Sequence, residues 1–576
     1  MSAPGSRATA RDEARAEVAA LLSRGGLPER LATAAVTLLG ERAAGRIVED
    51  PWLVLDLPGV RPDAADRFAL EVADPRPERD DGRRGRAFVV HALSRAARDG
   101  HTVVAESVVD RAVAGLGFPQ PRAAIEAAIE DDRVLGFEPE LLALARYAMA
   151  EDSVADGLPR LAATAEPLSD PDEAEAAAAG LDDAQRAAVA AAAAHGVSLL
   201  TGGPGTGKSR TVAALVKLAH EHDHRLALAA PTGRAAKRLE ELTGEPAGTL
   251  HRLLGAQGRT GNFVRGESWP LDADVVVVDE TSMLDVELAA ALLDACADGT
   301  HLVLVGDPAQ LPSIGPGRVL GDIVDSAVTP VTELTTLHRQ AIGGAIARLA
   351  SSVRTGELPA IDPPGPQPEV VVVPAGGAEA AARRTVQLVT DSIPRALGIP
   401  TEDIQVCTPV HRGPAGTVAL NQALKSILNE GPGARGGFDP GDRVVATANH
   451  LDLGFANGEV GVVVALSDGG GLEVVFGTGL VEVPAAVLGD LAHGWAITVH
   501  RAQGSEWPAV VAVLPAEAGG LLSRPLVYTA FTRAERHLSI VHACGPALAH
   551  AVRAVGARPR RTRLAALLRE SSPRPV

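Results

Sequence analysis

The chain has 576 residues, 46% of them hydrophobic, and carries 72 acidic side chains against 54 Lys and Arg, a net charge of −18. That length suggests about three or four domains of ~150 residues, and no apolar run approaches the ~18 residues that a membrane span needs. Three widely separated cysteines (Cys296, Cys407, Cys544) exclude a zinc ribbon, a four-cysteine cluster or a disulfide framework, and point to a reducing cytoplasm.

The first residues lead into a charged helix-like segment without the apolar core of a signal peptide. Helix-like segments at 13–22, 31–40, 42–47, 64–72, 86–98 and 122–129 predict a helical N-terminal domain over 1–153. Residues 154–180 are rich in Ala, Pro, Asp and Glu and read as a linker. From 181 to 330, short Val/Leu/Ala runs alternate with amphipathic helices, the sign of a parallel α/β sheet. Its strands are expected at 197–201, 225–230, 274–278 and 301–305. Within this domain the Gly-rich stretch 255–271, with Phe263 and Val264, predicts a β-hairpin. A second α/β domain follows over 331–437 and resumes over 489–555. Between its halves, residues 438–488 carry short β-rich runs at 443–446, 460–465 and 472–476, which predict a small inserted barrel. The Arg- and Pro-rich end, 556–576, reads as a flexible tail.

The narrowest chemistry lies at Gly202-Gly203-Pro204-Gly205-Thr206-Gly207-Lys208-Ser209. This is a phosphate-binding loop between an apolar strand and a helix-like run. Its glycines let backbone N–H groups turn inward around an anion. Lys208 supplies a point charge to the β- and γ-phosphates, and the Ser209 hydroxyl is placed for Mg²⁺. The helix N-terminus adds its dipole.

Four further stretches fit a triphosphate site. Val275–Val278 runs into Asp279-Glu280, where Asp279 can hold the Mg²⁺ shell and Glu280 can polarise the attacking water. The same pattern also suits a plain acidic turn. Gln310, after the run 302–305, offers an amide that can sense a γ-phosphate. Arg339 and Arg533 are candidate arginine fingers, because a guanidinium stays charged and contacts two phosphate oxygens at once. The assignment of these two rests on their order in the chain.

That order resembles the superfamily 1 DNA helicases, subgroup 1B, and within them the RecD-like group. Leu181-Asp182-Asp183-Ala184-Gln185 is similar to the Q motif, and the phosphate loop to motif I. Residues 230–236 resemble motif Ia, 249–254 motif Ib, Asp279-Glu280 motif II and 306–312 motif III. Residues 337–340 resemble motif IV, 498–506 motif V and 528–533 motif VI. The resemblance covers 181–545. It implies two RecA-like parallel-sheet P-loop domains that clamp ATP with Mg²⁺, the second supplying Arg339 and Arg533. It implies that Gln185 and Glu506 belong to the nucleotide site. It places Thr232, Arg234, His251, Phe263, Thr408, Thr498 and His500 among single-stranded DNA contacts, where hydroxyls and ring N–H groups suit phosphates without reading sequence. The hairpin at 255–271 would be a pin that splits the duplex, and 438–488 an SH3-like insertion. Residues 57–67 resemble a helix-hairpin-helix element of the stand-alone RecD-like type, although Arg61 stands where a second hairpin Gly is usual.

The expected activity is an ATP-dependent DNA helicase moving 5′ to 3′ on single-stranded DNA, acting on duplexes with a 5′ single-stranded tail in repair or recombination. A soluble cytoplasmic monomer without a membrane partner is expected. Two other readings stay open: a RecD-type subunit of a helicase–nuclease complex, and a DNA-binding ATPase scaffold that separates no strands.

Overall fold

The structure is a computed structural model and describes residues 4–257, 262–336, 344–360, 368–450, 452–477 and 479–571. Val275–Val278 lies in the middle of a six-stranded sheet, and all four valines are buried. The strand order is Val331–Leu334, Val197–Gly202, His301–Gly306, Val275–Val278, Leu226–Ala230, Ala247–Thr249, with every pairing parallel. A parallel sheet covered on both faces needs continuous apolar runs, not alternation. The two faces feed different cores. Val275 and Val277 pack with the helices Asp183–Ala194 and Lys208–Glu221. Val276 and Val278 pack with Val286–Ala295 and the N-terminal helices.

A second sheet, also all parallel, runs Val370–Pro374, Ala534–His542, Trp507–Leu514, Ile404–Thr408, Ala496–Thr498. Two RecA-like parallel-sheet domains are therefore present, as the motif order implied. The inserted stretch supplies four strands of a five-stranded antiparallel sheet, completed by Leu491–His493 beyond its expected end, with its own core, where Phe455 stacks on Phe476 at 5.0 Å. Lys425 fastens it to the second domain, donating to Asp439 at 2.6 Å and Asp442 at 2.7 Å.

The N-terminal region is helical as expected, with two additions. A helix at Glu106–Gly115 and a three-stranded antiparallel sheet (Val103–Ala105, Leu141–Leu144, Val134–Phe137) were not anticipated. The helix-hairpin-helix stretch is a 3₁₀ turn at Pro51–Asp56, a bend with Gly59 at φ 76, and a helix at Pro62–Val72.

Two expectations are corrected. Residues 154–180 are not a linker. The helix Ala145–Thr164 runs into the stretch and buries Val154, Leu158 and Leu161, and a short capped helix follows at Pro171–Ala177. The long helix packs so closely on Val286–Ala295 that a Cβ at Gly157 would lie 2.9 Å from Leu293 Cβ. Ala and Gly bring backbones together here, and a composition of that kind imitates a linker. Nor is the end a loose tail. The helix Leu564–Ser571 buries Leu564 and Leu568 against the same core.

Candidate active site and nucleic-acid cleft

The buried strand Val197–Gly202 delivers the phosphate loop to the edge of a cleft between the two α/β domains. Gly205 (φ 80) and Gly207 (φ 89) adopt the left-handed backbone that turns N–H groups inward, a conformation costly for other residues. Thr206 Oγ1 donates to Gly203 O at 2.7 Å and closes the loop. Lys208 Nζ lies over it, 2.7 Å from Gly202 O and 3.2 Å from Gly203 O. Ser209 sits in the first turn of the helix Lys208–Glu221. Gln185 is fully buried, and its amide is engaged at both ends. Its Nε2 donates to Thr206 O at 3.2 Å, and its Oε1 accepts from Asp182 N at 3.2 Å. Gln185 thus braces the loop from behind.

Asp279 and Glu280 follow the valine strand. Glu280 has φ 53, a left-handed backbone sparsely populated by side-chain-bearing residues. Burial pushes both carboxyls above the ordinary range, and at Glu280 the Asp279 charge adds to it. Lys208 opposes the rise at Asp279; Arg533 and Lys208 oppose it at Glu280.

The segment after His301–Gly306 joins the two domains. Asp307 is fully buried and accepts from Tyr528 OH at 2.6 Å. Leu311 N donates to Thr529 Oγ1 at 2.9 Å, and Leu311 O accepts from Gln503 Nε2 at 2.7 Å. Gln310 Oε1 accepts from Arg533 Nη2 at 3.3 Å. Arg533 is itself buried, with Nε on Thr529 O and Nη1 on Ser505 O, both at 3.1 Å. Tyr528, Thr529 and Gln503 were not singled out from the sequence. They fall inside the quoted stretches 498–506 and 528–533, but a buried bridging hydroxyl looks there like any core residue. Arg339 lies outside the described residues.

Motif V faces the helix Gly233–Thr243. Glu506 pairs with Arg238 at 2.7 Å, and its carbonyl accepts from Arg234 at 2.6 Å. The Arg234 guanidinium lies 4.5 Å from the Trp507 ring centre. Thr232 caps that helix, its Oγ1 accepting from Ala235 N at 3.3 Å. Thr232, Arg234, Arg238 and Glu506 rim a cavity of about 520 Å³. A second, of about 720 Å³, opens between His251, Gly255 and the inserted sheet at Leu453–Phe455. His251 lies 6.0 Å from Phe263, and burial lowers its pKa, which favours the neutral ring. Ala256–Gln257 pairs with Asn262–Phe263 as the base of the expected hairpin, whose tip lies outside the described residues.

Among the proposed DNA contacts, His500 is exposed. Thr408 and Thr498 each end a strand of the second sheet. They are register partners on adjacent strands. Thr408 is fully buried with its hydroxyl donating to Ala415 O at 3.0 Å, and Thr498 is buried and accepts from Arg501 N at 3.3 Å. Each hydroxyl is bonded to the loop that follows its own strand.

Residues 11–103 match the family described as the ATP-dependent RecD2 DNA helicase HHH domain. Residues 180–364 match an AAA domain, and 493–541 the UvrD-like helicase C-terminal domain. The ATP-dependent RecD2 DNA helicase of Deinococcus radiodurans is 36% identical over 535 residues, 88% of this chain and 72% of that protein. The chain belongs to the RecD-like family of ATP-dependent DNA helicases. The RecBCD enzyme subunit RecD of Mycolicibacterium smegmatis is 37% identical over 508 residues, 78% of this chain and 89% of that protein. A solved Pif1 helicase from Bacteroides, in complex with ADP-AlF3 and ssDNA, is 16% identical and covers 61% of this chain and 90% of its own, with a TM-score of 0.38. In this RecD-like chain, no helix among the described residues is long and apolar enough to cross a membrane.

Proposed function

We propose that the chain moves 5′ to 3′ along single-stranded DNA and opens duplexes with a 5′ tail, as a cytoplasmic motor in repair or recombination. The observation that supports a motor best is the bond from Arg533 of the second domain to Gln310 of the first. A nucleotide between the domains would be sensed from both sides, so its hydrolysis would change their contact.

In this reading Lys208 and the loop from Gly202 to Ser209 bind the phosphates. Glu280 orients the attacking water, Gln310 reads the γ-phosphate, and Arg533 with Arg339 stabilises charge across the cleft. Glu506 keeps its place at the rim through Arg238, and Gln185 acts on the nucleotide through the loop it braces. Among the described residues no group of three or more His, Cys, Asp and Glu could hold a metal unaided. Asp279 and Ser209 are hard oxygen donors that suit Mg²⁺ shared with phosphates, and two buried carboxyls call for added positive charge. Bound there, Mg²⁺ would neutralise charge on the phosphate oxygens. Thr232, Arg234, His251, Phe263 and His500 line the DNA path, and the hairpin expected over 255–271 is the wedge.

The match of residues 11–103 to the RecD2 helix-hairpin-helix domain supports a helicase that works alone. The likeness to the mycobacterial RecD subunit favours a second reading, a partner-bound subunit. Fluorescence unwinding assays with purified chain test the proposal. A duplex with a 5′ tail opens with ATP and Mg²⁺, and one with a 3′ tail does not. Equal opening of both contradicts the polarity, and opening only with added partner chains favours the second reading.

A further inference from the structure

Three distant parts of the chain meet at one side chain. Arg560, beyond the second α/β domain, reaches the loop that follows Gln310. Its Nη1 donates to Ser313 Oγ at 3.0 Å, Gly315 O at 2.9 Å and Gly317 O at 2.6 Å, and its Nη2 donates to Ser313 O at 2.5 Å. The same loop touches the N-terminal domain, where Gly317 N donates to Gly100 O at 3.0 Å. The Arg560 side chain fills the space beside Gly100 so fully that a Cβ there would overlap its Nε and Cζ.

The segment around Arg560 is fixed to the N-terminal domain, not to the second α/β domain from which it comes. Thr102 N donates to Arg561 O at 3.0 Å, and Arg561 N donates to His101 Nδ1 at 3.0 Å. Arg563 N donates to the buried Glu151 Oε1 at 2.9 Å, and its guanidinium pairs with Asp152 at 2.8 Å. The helix Leu564–Ser571 then packs into the core. Residues 555–563 therefore form a strap across the two halves of the molecule.

We propose that Arg560 is a positioning residue for ATP turnover, holding residues 313–317 so that Gln310 meets Arg533; this rests on the motor reading above. The loop is gripped at two places. Residues 307–311 are held by Tyr528, Thr529, Gln503 and Arg533. Only Pro312 separates that grip from the four acceptors of Arg560. A planar guanidinium spans several carbonyls at fixed angles, which a lysine ammonium cannot do. A small displacement of a group that sets a reactive geometry can cost as much as ~10²-fold in rate.

The test is steady-state ATP turnover with single-stranded DNA on the full chain and on R560A, R560K and R569A. Arg569 lies on the helix that follows the strap and bonds Asp325 O at 2.6 Å, away from the loop. R560A and R560K are expected to lose about tenfold or more in kcat, with KM for ATP unchanged, while R569A keeps its kcat. If R560A does not fold, R560K is read alone. Full kcat in R560K overturns the proposal, as does an equal loss in R569A. Absence of turnover in the unaltered chain instead sinks the motor reading.

Discussion

Arg533 Nη2 lies 3.3 Å from Gln310 Oε1, although 223 positions separate them in the chain. The arginine belongs to the second α/β domain and the glutamine to the first, so their bond is a direct measure of how the cleft is closed. Tyr528 and Asp307 make a second bond of the same kind at 2.6 Å. Both run through the loop after the strand His301–Gly306.

Lys208→Ala removes the ammonium that lies over the phosphate loop, 2.7 Å from Gly202 O. ATP turnover is expected to fall about 10²–10³-fold or more, the scale for losing a charge-stabilising donor. Turnover measured with single-stranded DNA checks this; retention of half the rate would place phosphate binding elsewhere.

Tyr528→Phe deletes the donor to the fully buried Asp307 Oδ2. A lost hydrogen bond to a buried carboxylate costs about 1.5–3 kcal/mol. Urea unfolding should show a lower midpoint with an unchanged slope. An unchanged midpoint means that the hydroxyl does not bridge the domains in solution.

Two glycine substitutions should act in opposite directions. Gly157→Ala places a Cβ 2.9 Å from Leu293 Cβ and should destabilise by about 1–3 kcal/mol through overpacking. Gly45→Ala, in the helix Ala43–Glu49, meets nothing within 4 Å and should stabilise by about 0.5–1 kcal/mol. Thermal melting of the two variants decides. A stable Gly157→Ala would contradict the close helix packing that replaces the expected linker.

The clamp on the inserted sheet has a pH signature. Backbone N–H of Ala434, then the Lys425 ammonium and the N–H of Gly433, hold the Asp439 carboxyl at about 2, below its ordinary 3.8. A depressed folded-state pKa contributes stability that is full above the ordinary value and is lost as pH falls toward the folded one. The stability gap between the natural chain and Asp439→Asn should therefore shrink as pH drops from 3.8 to about 2. A gap that stays constant over this window would show that the carboxylate charge contributes nothing.

The phosphate loop was legible because its geometry permits few residues: left-handed backbone at positions 205 and 207 demands glycine. The valine strand before Asp279 was legible because burial on both faces leaves no polar alternative. The local bonds of Thr408 and Thr498 were not, since a strand-end threonine reads the same with or without a backbone partner in the loop that follows it. The stretch 154–180 was hidden by small residues whose value lies in what they let approach, Gly157 against Leu293. The C-terminal arginines read as a solvated tail because sequence does not reveal that the carbonyls of Ser313, Gly315 and Gly317 would satisfy Arg560.

The central claim is that Gln310 and Arg533 act as one unit across the cleft. A double-mutant cycle on single-stranded-DNA-stimulated ATP turnover tests it most directly. Arg533→Ala is expected to cost about 10³-fold or more in kcat. Adding Gln310→Ala to that background should cost no more than roughly a further twofold, because residues that act together are not additive. Losses that multiply independently, or near-normal turnover in Arg533→Ala, would contradict the account.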